Sequence, residues 1–161
     1  MKHILLALSL FAAASASHCA DRTLPALALF DPAGAAAPAA VMNMAAPWVM
    51  LMVAASGPQT ESALARLQPP AEGWGGKVVV VVQGDTAQLR ALVAKHPALA
   101  GVRWYRDADG SARRALKLPG LPALLAMDAN KHVVWQTDGL PPQPDKAQNL
   151  VRAWVAPVAA K

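Results

Sequence analysis

Thiols, imidazoles and thioethers are the reactive side chains of this 161-residue chain, and their numbers bound its chemistry. There is one cysteine, Cys19. A single thiol forms no intramolecular disulfide and has no resolving partner, so the fold must stand on its core alone. Cys19 is read as an inert tail thiol, against two alternatives: acylation as the first residue of a lipoprotein, and an intermolecular disulfide. Ala16-Ser17-His18 before it departs from the leucine-then-small pattern that acylation uses. His18, His96 and His132 are scattered along the chain. Met42, Met44, Met50 and Met52 carry thioethers, soft enough for copper(I). With no histidine or cysteine beside them, they are read as fillers of irregular core gaps, and neither metal nor cofactor is expected.

The surroundings of these residues set further bounds. Hydrophobic residues make up 55% of the chain and charged ones 16%. Part of the excess is a leader: Met1-Lys2-His3 is positive, Ile4 to Ala14 is apolar save Ser9, and Ala14-Ser15-Ala16 is a small-residue cleavage site. Residues 1–16 are therefore expected to be a signal peptide, 17–23 a tail and 24–157 one domain, a length that buries roughly 68% of its unfolded surface. Val41 to Ala55 contains Asn43 and Pro47 and is shorter than the roughly 20 residues a spanning helix needs, so no transmembrane segment is expected after cleavage. The high apolar content argues against disorder, and no repeat is present. The formal charge is +5, with Lys2 in the leader. Arg103, Arg106, Arg113, Arg114 and Lys117 cluster, but Asp107 and Asp109 interrupt them, which describes a solvated face rather than a phosphate-binding patch. Nucleic acid is not an expected partner.

Short periodic segments follow one another along the domain. Leu27 to Phe30 before Asp31-Pro32-Ala33-Gly34 predicts an edge strand and a loop. Trp48 to Ala55 is a continuous apolar run, as expected of a central strand covered on both faces. Gly57-Pro58 ends it, and Thr60 to Leu67 reads as a helix with Thr60 as N-cap and Glu61 in its first turn. Five valines at Val78 to Val82 predict a second buried strand, and Leu89, Leu92 and Val93 an amphipathic helix over 86–96. Val102 to Tyr105 is a strand and Ser111 to Lys117 a helix. Leu121 to Met127 and His132 to Gln136 form a β-hairpin, and Pro144 to Val155 is a closing helix. Parallel βαβ units, then an antiparallel hairpin, give an α/β fold with a central mixed sheet flanked by helices.

That order resembles the thioredoxin-like superfamily, and so do particular residues. Ala55-Ser56-Gly57-Pro58-Gln59, between a buried strand and a helix, is similar to thioredoxin's Trp-Cys-Gly-Pro-Cys with both cysteines replaced. Lys117-Leu118-Pro119-Gly120-Leu121-Pro122 resembles the segment that ends in the family's cis-proline. Leu24 to Asp31 with Gly34 is similar to the amino-terminal hairpin of the exported, TlpA-like branch. The resemblance implies a thioredoxin-like fold in a periplasmic protein, with a cis bond before Pro122 facing the motif.

Thiol–disulfide exchange needs a thiolate activated at a helix N-terminus and a second thiol to resolve the intermediate. Ser56 and Gln59 supply neither, and a serine hydroxyl without a base is a poor nucleophile. No catalytic residue is expected, and Ser56 is read as a helix-capping vestige. The degenerate motif Ser56, Gly57, Pro58 and Gln59 is then a shape, and Leu121, Pro122 and a loop-borne, exposed Trp74 are the expected surface for a protein partner. The leading expectation is a redox-inactive periplasmic binding or accessory module, for instance of a conjugation or secretion apparatus. Its rival is a redox protein working through Cys19 and a partner thiol.

Overall fold

The computed structural model describes residues 22–37, 42–67, 74 and 76–155. The expected signal peptide over residues 1–16, His18, Cys19 and the Pro69-Pro70 stretch lie outside the described residues.

Two apolar runs decide the sheet. A two-residue strand β1 (Arg22–Thr23) precedes the first of them, β2 (Trp48–Ala54), whose residues from Trp48 to Val53 are all 0% exposed. After helix α1 (Thr60–Arg66) the valine run forms β3 (Val78–Gln83), equally buried through Val82. Such residues pack well on a pleated surface buried on both sides, and β-branching stiffens valine against the helical alternative. β3 lies parallel to β2 in the register Val49↔Val78 to Ala54↔Gln83.

Helix α2 (Thr86–Lys95) returns the chain. Its start is a capping box: Asp85 accepts from the Gln88 amide N at 2.8 Å, and Gln88 Oε1 accepts from the Asp85 N at 2.9 Å. It stops at His96, which precedes Pro97, a position where the helical backbone is disfavoured. A 3-10 turn at Pro97–Leu99 leads to β4 (Arg103–Asp107), parallel to β3. A short α3 (Ser111–Ala115) crosses to the opposite sheet face before β5 (Ala123–Met127). β5 runs antiparallel to β2, β6 (His132–Asp138) runs antiparallel to β5, and α4 (Pro144–Val155) closes the chain. The strand order is β1-β6-β5-β2-β3-β4, a mixed six-stranded sheet between helices, as the sequence predicts.

Alternation along each strand divides the core in two. Val49, Leu51, Val53, Val78, Val80, Val82 and Leu124 face α1, α2 and α4 through Leu64, Leu89, Ala147 and Val151. Met50, Met52, Val79, Val81, Leu125 and Met127 face α3 and the amino-terminal segment through Leu24, Leu29, Ala112 and Leu116. The methionine pair thus occupies one strand face, buried among apolar neighbours.

The edges differ from expectation. Leu27 to Phe30 does not form a strand. Phe30 alone bridges Ala36 and Arg106, its ring 4.6 Å beneath the Arg106 guanidinium. The outer strand is instead β1, pairing Arg22 with Val133, so two residues assigned to the tail belong to the sheet. Arg22 is held there because its guanidinium donates to the Leu116 carbonyl and Gln136 Oε1, both at 2.7 Å. A polar Arg-Thr pair carries no strand periodicity, which is why the pattern missed it. Leu121 and Pro122 likewise precede β5 rather than belonging to it, and α3 ends two residues before Lys117.

Truncation of Leu51 to alanine should cost about 2–5 kcal/mol, whereas Met50→Leu, which nearly conserves volume, should cost under about 1.5 kcal/mol. Urea unfolding of the two variants measures both values. A strongly destabilised Met50→Leu would mean that the methionine strand does more than fill space.

Candidate functional site

The carboxyl end of β2 delivers its chain directly into the Ser56-Gly57-Pro58-Gln59 turn. Gly57 N donates to the Ala54 carbonyl at 2.9 Å, and Thr60 Oγ1 donates to the same oxygen at 2.5 Å. Thr60, 2% exposed, is therefore not the N-cap; that position is Gln59, whose side chain makes no capping bond. A hydroxyl drawn inward by a buried carbonyl is unavailable to the helix end. A Cβ on Gly57 would lie 3.0 Å from Thr60 Oγ1 and 3.2 Å from the Ala54 oxygen, so this turn favours glycine.

Ser56 is exposed and does not cap α1 either. Its Oγ accepts from Gln88 Nε2 at 3.2 Å, which ties the motif to α2. An amide is no base, so this contact leaves the hydroxyl at its ordinary, weak nucleophilicity. Below it Gly84 closes the approach: a Cβ there would come within 2.7 Å of the Ala55 Cβ.

The opposite wall is the loop before β5. Asp107, 0% exposed at the end of β4, accepts from the backbone N–H of Ala112 and of Arg113, both at 3.2 Å, and so anchors α3. Arg113 in turn donates through Nε to the Leu118 carbonyl at 3.4 Å and through Nη2 to the Pro119 carbonyl at 2.9 Å. The Leu121–Pro122 peptide that follows is cis, and the Pro122 carbonyl accepts from Gly139 N at 2.7 Å.

Motif and loop enclose two clefts. One, of about 510 Å³, is lined by Ser56, Gly57, Pro58, Gln83, Gln88, Ala108, Arg113 and Leu121. The other, of about 300 Å³, is lined by Gln59, Ser62, Arg66, Pro122, Asp138 and Gly139. Ser56 and Gln59, three residues apart, thus open on different clefts, with Leu121 on the side of Ser56 and Pro122 on that of Gln59.

Trp74 departs from its expected role. It is 5% exposed and belongs to the apolar cluster that holds Leu64, Leu67, Val78 and Trp104, so it offers no surface to a partner. Flanking glycines mark a loop, but a large indole contributes most when buried, and here burial prevails. Pro122 is itself buried, and the half-buried Leu121 is the more accessible of the pair. Sequence reasoning passed over Arg113 and Gln88 as site residues. Gln88 was legible as the third residue after an Asp cap, whereas Arg113 was hidden in what read as a solvated basic stretch.

His96 and His132, the histidines among the described residues, lie elsewhere. His132 Nδ1 is 3.0 Å from Asp128 Oδ2 in the hairpin turn, and His96 Nε2 is 3.1 Å from Glu61 Oε2 at the far end of α2. Lys95 Nζ donates to Glu61 Oε1 at 2.7 Å, and this bond, aided by His96, holds the Glu61 carboxyl below its usual range. Among the described residues no cluster of three or more metal-ligating His, Cys, Asp or Glu side chains occurs, and no helix is long and apolar enough to cross a membrane.

A mixed sheet of this order, a Gly-Pro turn leading from a central strand into a helix and a cis-proline loop beside it define a thioredoxin-like fold. Solved structures with that fold superpose on the chain. A secreted Mycobacterium tuberculosis disulfide oxidoreductase, described as homologous to E. coli DsbE, matches at TM-score 0.62 and 19% identity over 80% of this chain and 96% of its own. A putative thiol:disulfide interchange protein DsbE from Chlorobium tepidum matches at 0.64 and 21% over 83% and 94%, and a putative thioredoxin from Neisseria meningitidis at 0.63 and 19% over 87% and 95%. No protein-family model and no curated protein matches the chain.

Replacing Asp107 with alanine leaves the Ala112 and Arg113 N–H groups without their acceptor, the first of them buried, and should cost about 1–3 kcal/mol, read as a lower urea midpoint. For Glu61 the sign follows from its lowered pKa. The ionised form is favoured by folding, so its contribution is present above the unfolded value and is lost as pH falls through the folded one. The stability gap between the native chain and Glu61→Gln should therefore close on acidification below the ordinary carboxylate range. A gap that persists in acid would remove the ion pair as its cause.

Proposed function

We propose that this chain is an exported thioredoxin-like protein that binds a protein partner at the face where active relatives carry out thiol exchange, without itself catalysing exchange. The observation that carries the reading is the pairing at that face: Ser56 and Gln59 stand at the strand-to-helix turn beside the cis Leu121–Pro122 peptide, with no thiol among the described residues. Exchange requires a thiolate and a resolving thiol, and the one cysteine of the sequence, Cys19, stands three positions before the first strand. What remains is geometry: two open clefts either side of Leu121–Pro122, edged by the turn and the loop. The leader sequence supports export to the periplasm, and so does the description of one structural neighbour as secreted. An accessory role in an envelope assembly such as a conjugation or secretion apparatus fits a protein of this kind.

Insulin reduction and dithiol oxidation test the reading. The native protein should be inert, and a double variant carrying Ser56→Cys and Gln59→Cys should gain activity, because the turn and the helix N-terminus that would activate the thiol are in place. Native activity that disappears in Cys19→Ser would overturn the reading in favour of redox work through Cys19 and a partner thiol.

A further inference from the structure

We propose that the 510 Å³ cleft receives the carboxylate of an aspartate or glutamate in an extended segment of the partner, with Arg113 as its counter-ion. The inference rests on the partner-binding reading of this face and names the chemistry of the segment bound there.

The lining is one-sided in charge. Its polar groups are the Ser56 hydroxyl, the Gln83 and Gln88 amides and the Arg113 guanidinium, and no carboxylate lines it. Nearby acids are committed elsewhere. Asp107 is 0% exposed and accepts from backbone N–H groups, while Asp109 accepts from Ser111 N at 3.0 Å and pairs with Arg114 at 3.6 Å. Arg113 makes no ion pair among the described residues. Its Nε and Nη2 hold the loop carbonyls, and Nη1 has no partner there, so a fixed guanidinium presents free donors. Ser56 Oγ accepts from Gln88, which leaves its own proton to donate.

A preorganised guanidinium and a hydroxyl suit an oxygen anion, and hydrogen bonds to a charged acceptor are the stronger kind. The apolar part of the lining, Ala54, Ala55 and Leu121, would take the side-chain methylenes. The smaller cleft lacks this bias, because Asp138 lines it together with Arg66. The chain's formal charge of +5, or +4 once Lys2 of the expected leader is removed, adds a long-range attraction for acidic partners.

Selection of phage-displayed random heptapeptides on the immobilised full chain tests the proposal. Peptides enriched in Asp or Glu are expected, and changing that residue to its amide in a selected peptide should weaken binding about tenfold. Arg113→Gln should abolish the acidic preference. Because that variant also releases the Leu118 and Pro119 carbonyls, Ala108→Asp is the cleaner control: it adds a negative charge to the lining and removes no hydrogen bond. Enrichment without acidic bias, or an acidic bias that survives Ala108→Asp, would overturn the carboxylate proposal and leave the binding face standing. Recovery no better than from Ser56→Trp, in which an indole fills the cleft, would overturn both.

Discussion

Backbone pairing on both edges of β2 is the constraint from which the rest of the molecule follows. The strand is hydrogen-bonded to β3 on one side and β5 on the other, and it carries no exposed residue from Trp48 to Val53. A strand buried on both faces and both edges can satisfy its N–H and C=O groups only through those two ladders. Its ends are therefore fixed by its neighbours. Ala54 pairs with Gln83, and Ala55 N still donates to the Gln83 carbonyl, so the chain leaves the sheet at one defined height beside the start of α2. The turn at Ser56, the start of α1 and the wall formed by Gly84 all inherit their positions from that register.

The second wall depends on a buried carboxylate rather than on apolar packing. Asp107 is held without solvent among backbone donors, and a buried charge of this kind is tolerated where hydrogen bonds compensate its lost hydration. It starts a helix of five residues, too short to be stable alone, and thereby orients Arg113. Arg113 then gathers the Leu118 and Pro119 carbonyls, which must turn sharply to enter the cis Leu121–Pro122 peptide. None of these contacts needs a thiol. The two walls beside the Gly57-Pro58 turn are thus held by hydrogen bonding and close packing alone.

How far this was legible in the sequence depended on the length of each signal. The valine run, the apolar strand before Gly57-Pro58 and the amphipathic helices announce themselves through periodicity, and the central sheet follows their predicted order. The motif turn and Pro122 were recognisable because Gly57-Pro58 and Gly120-Leu121-Pro122 resemble segments of a known family. Positions decided by partners outside their own element were not legible. Arg22–Thr23 joins the sheet through contacts more than ninety residues away in sequence, Thr60 forsakes its helix for the Ala54 carbonyl, and Trp74 sinks into the core despite its glycine-flanked loop. In each case burial or a hydrogen bond to another element outweighed a local preference worth about 1 kcal/mol or less.

Arg113 joins the scaffold to the proposed recognition. Holding a long side chain in one conformation costs up to about 2 kcal/mol of rotamer entropy, and an arginine free in solution would lose that on meeting an anion. Here two carbonyls already hold it, for a structural reason that would exist without any ligand. The ordering cost therefore falls on folding rather than on binding, and the planar guanidinium still has N–H donors to spare. A lysine could not serve in the same way, since a flexible ammonium lacks the fork that grips two loop carbonyls while facing a third acceptor. The side chain that shapes the loop beside Pro122 thus also supplies a preorganised cation, which makes charge a natural basis for selecting what occupies the proposed binding face.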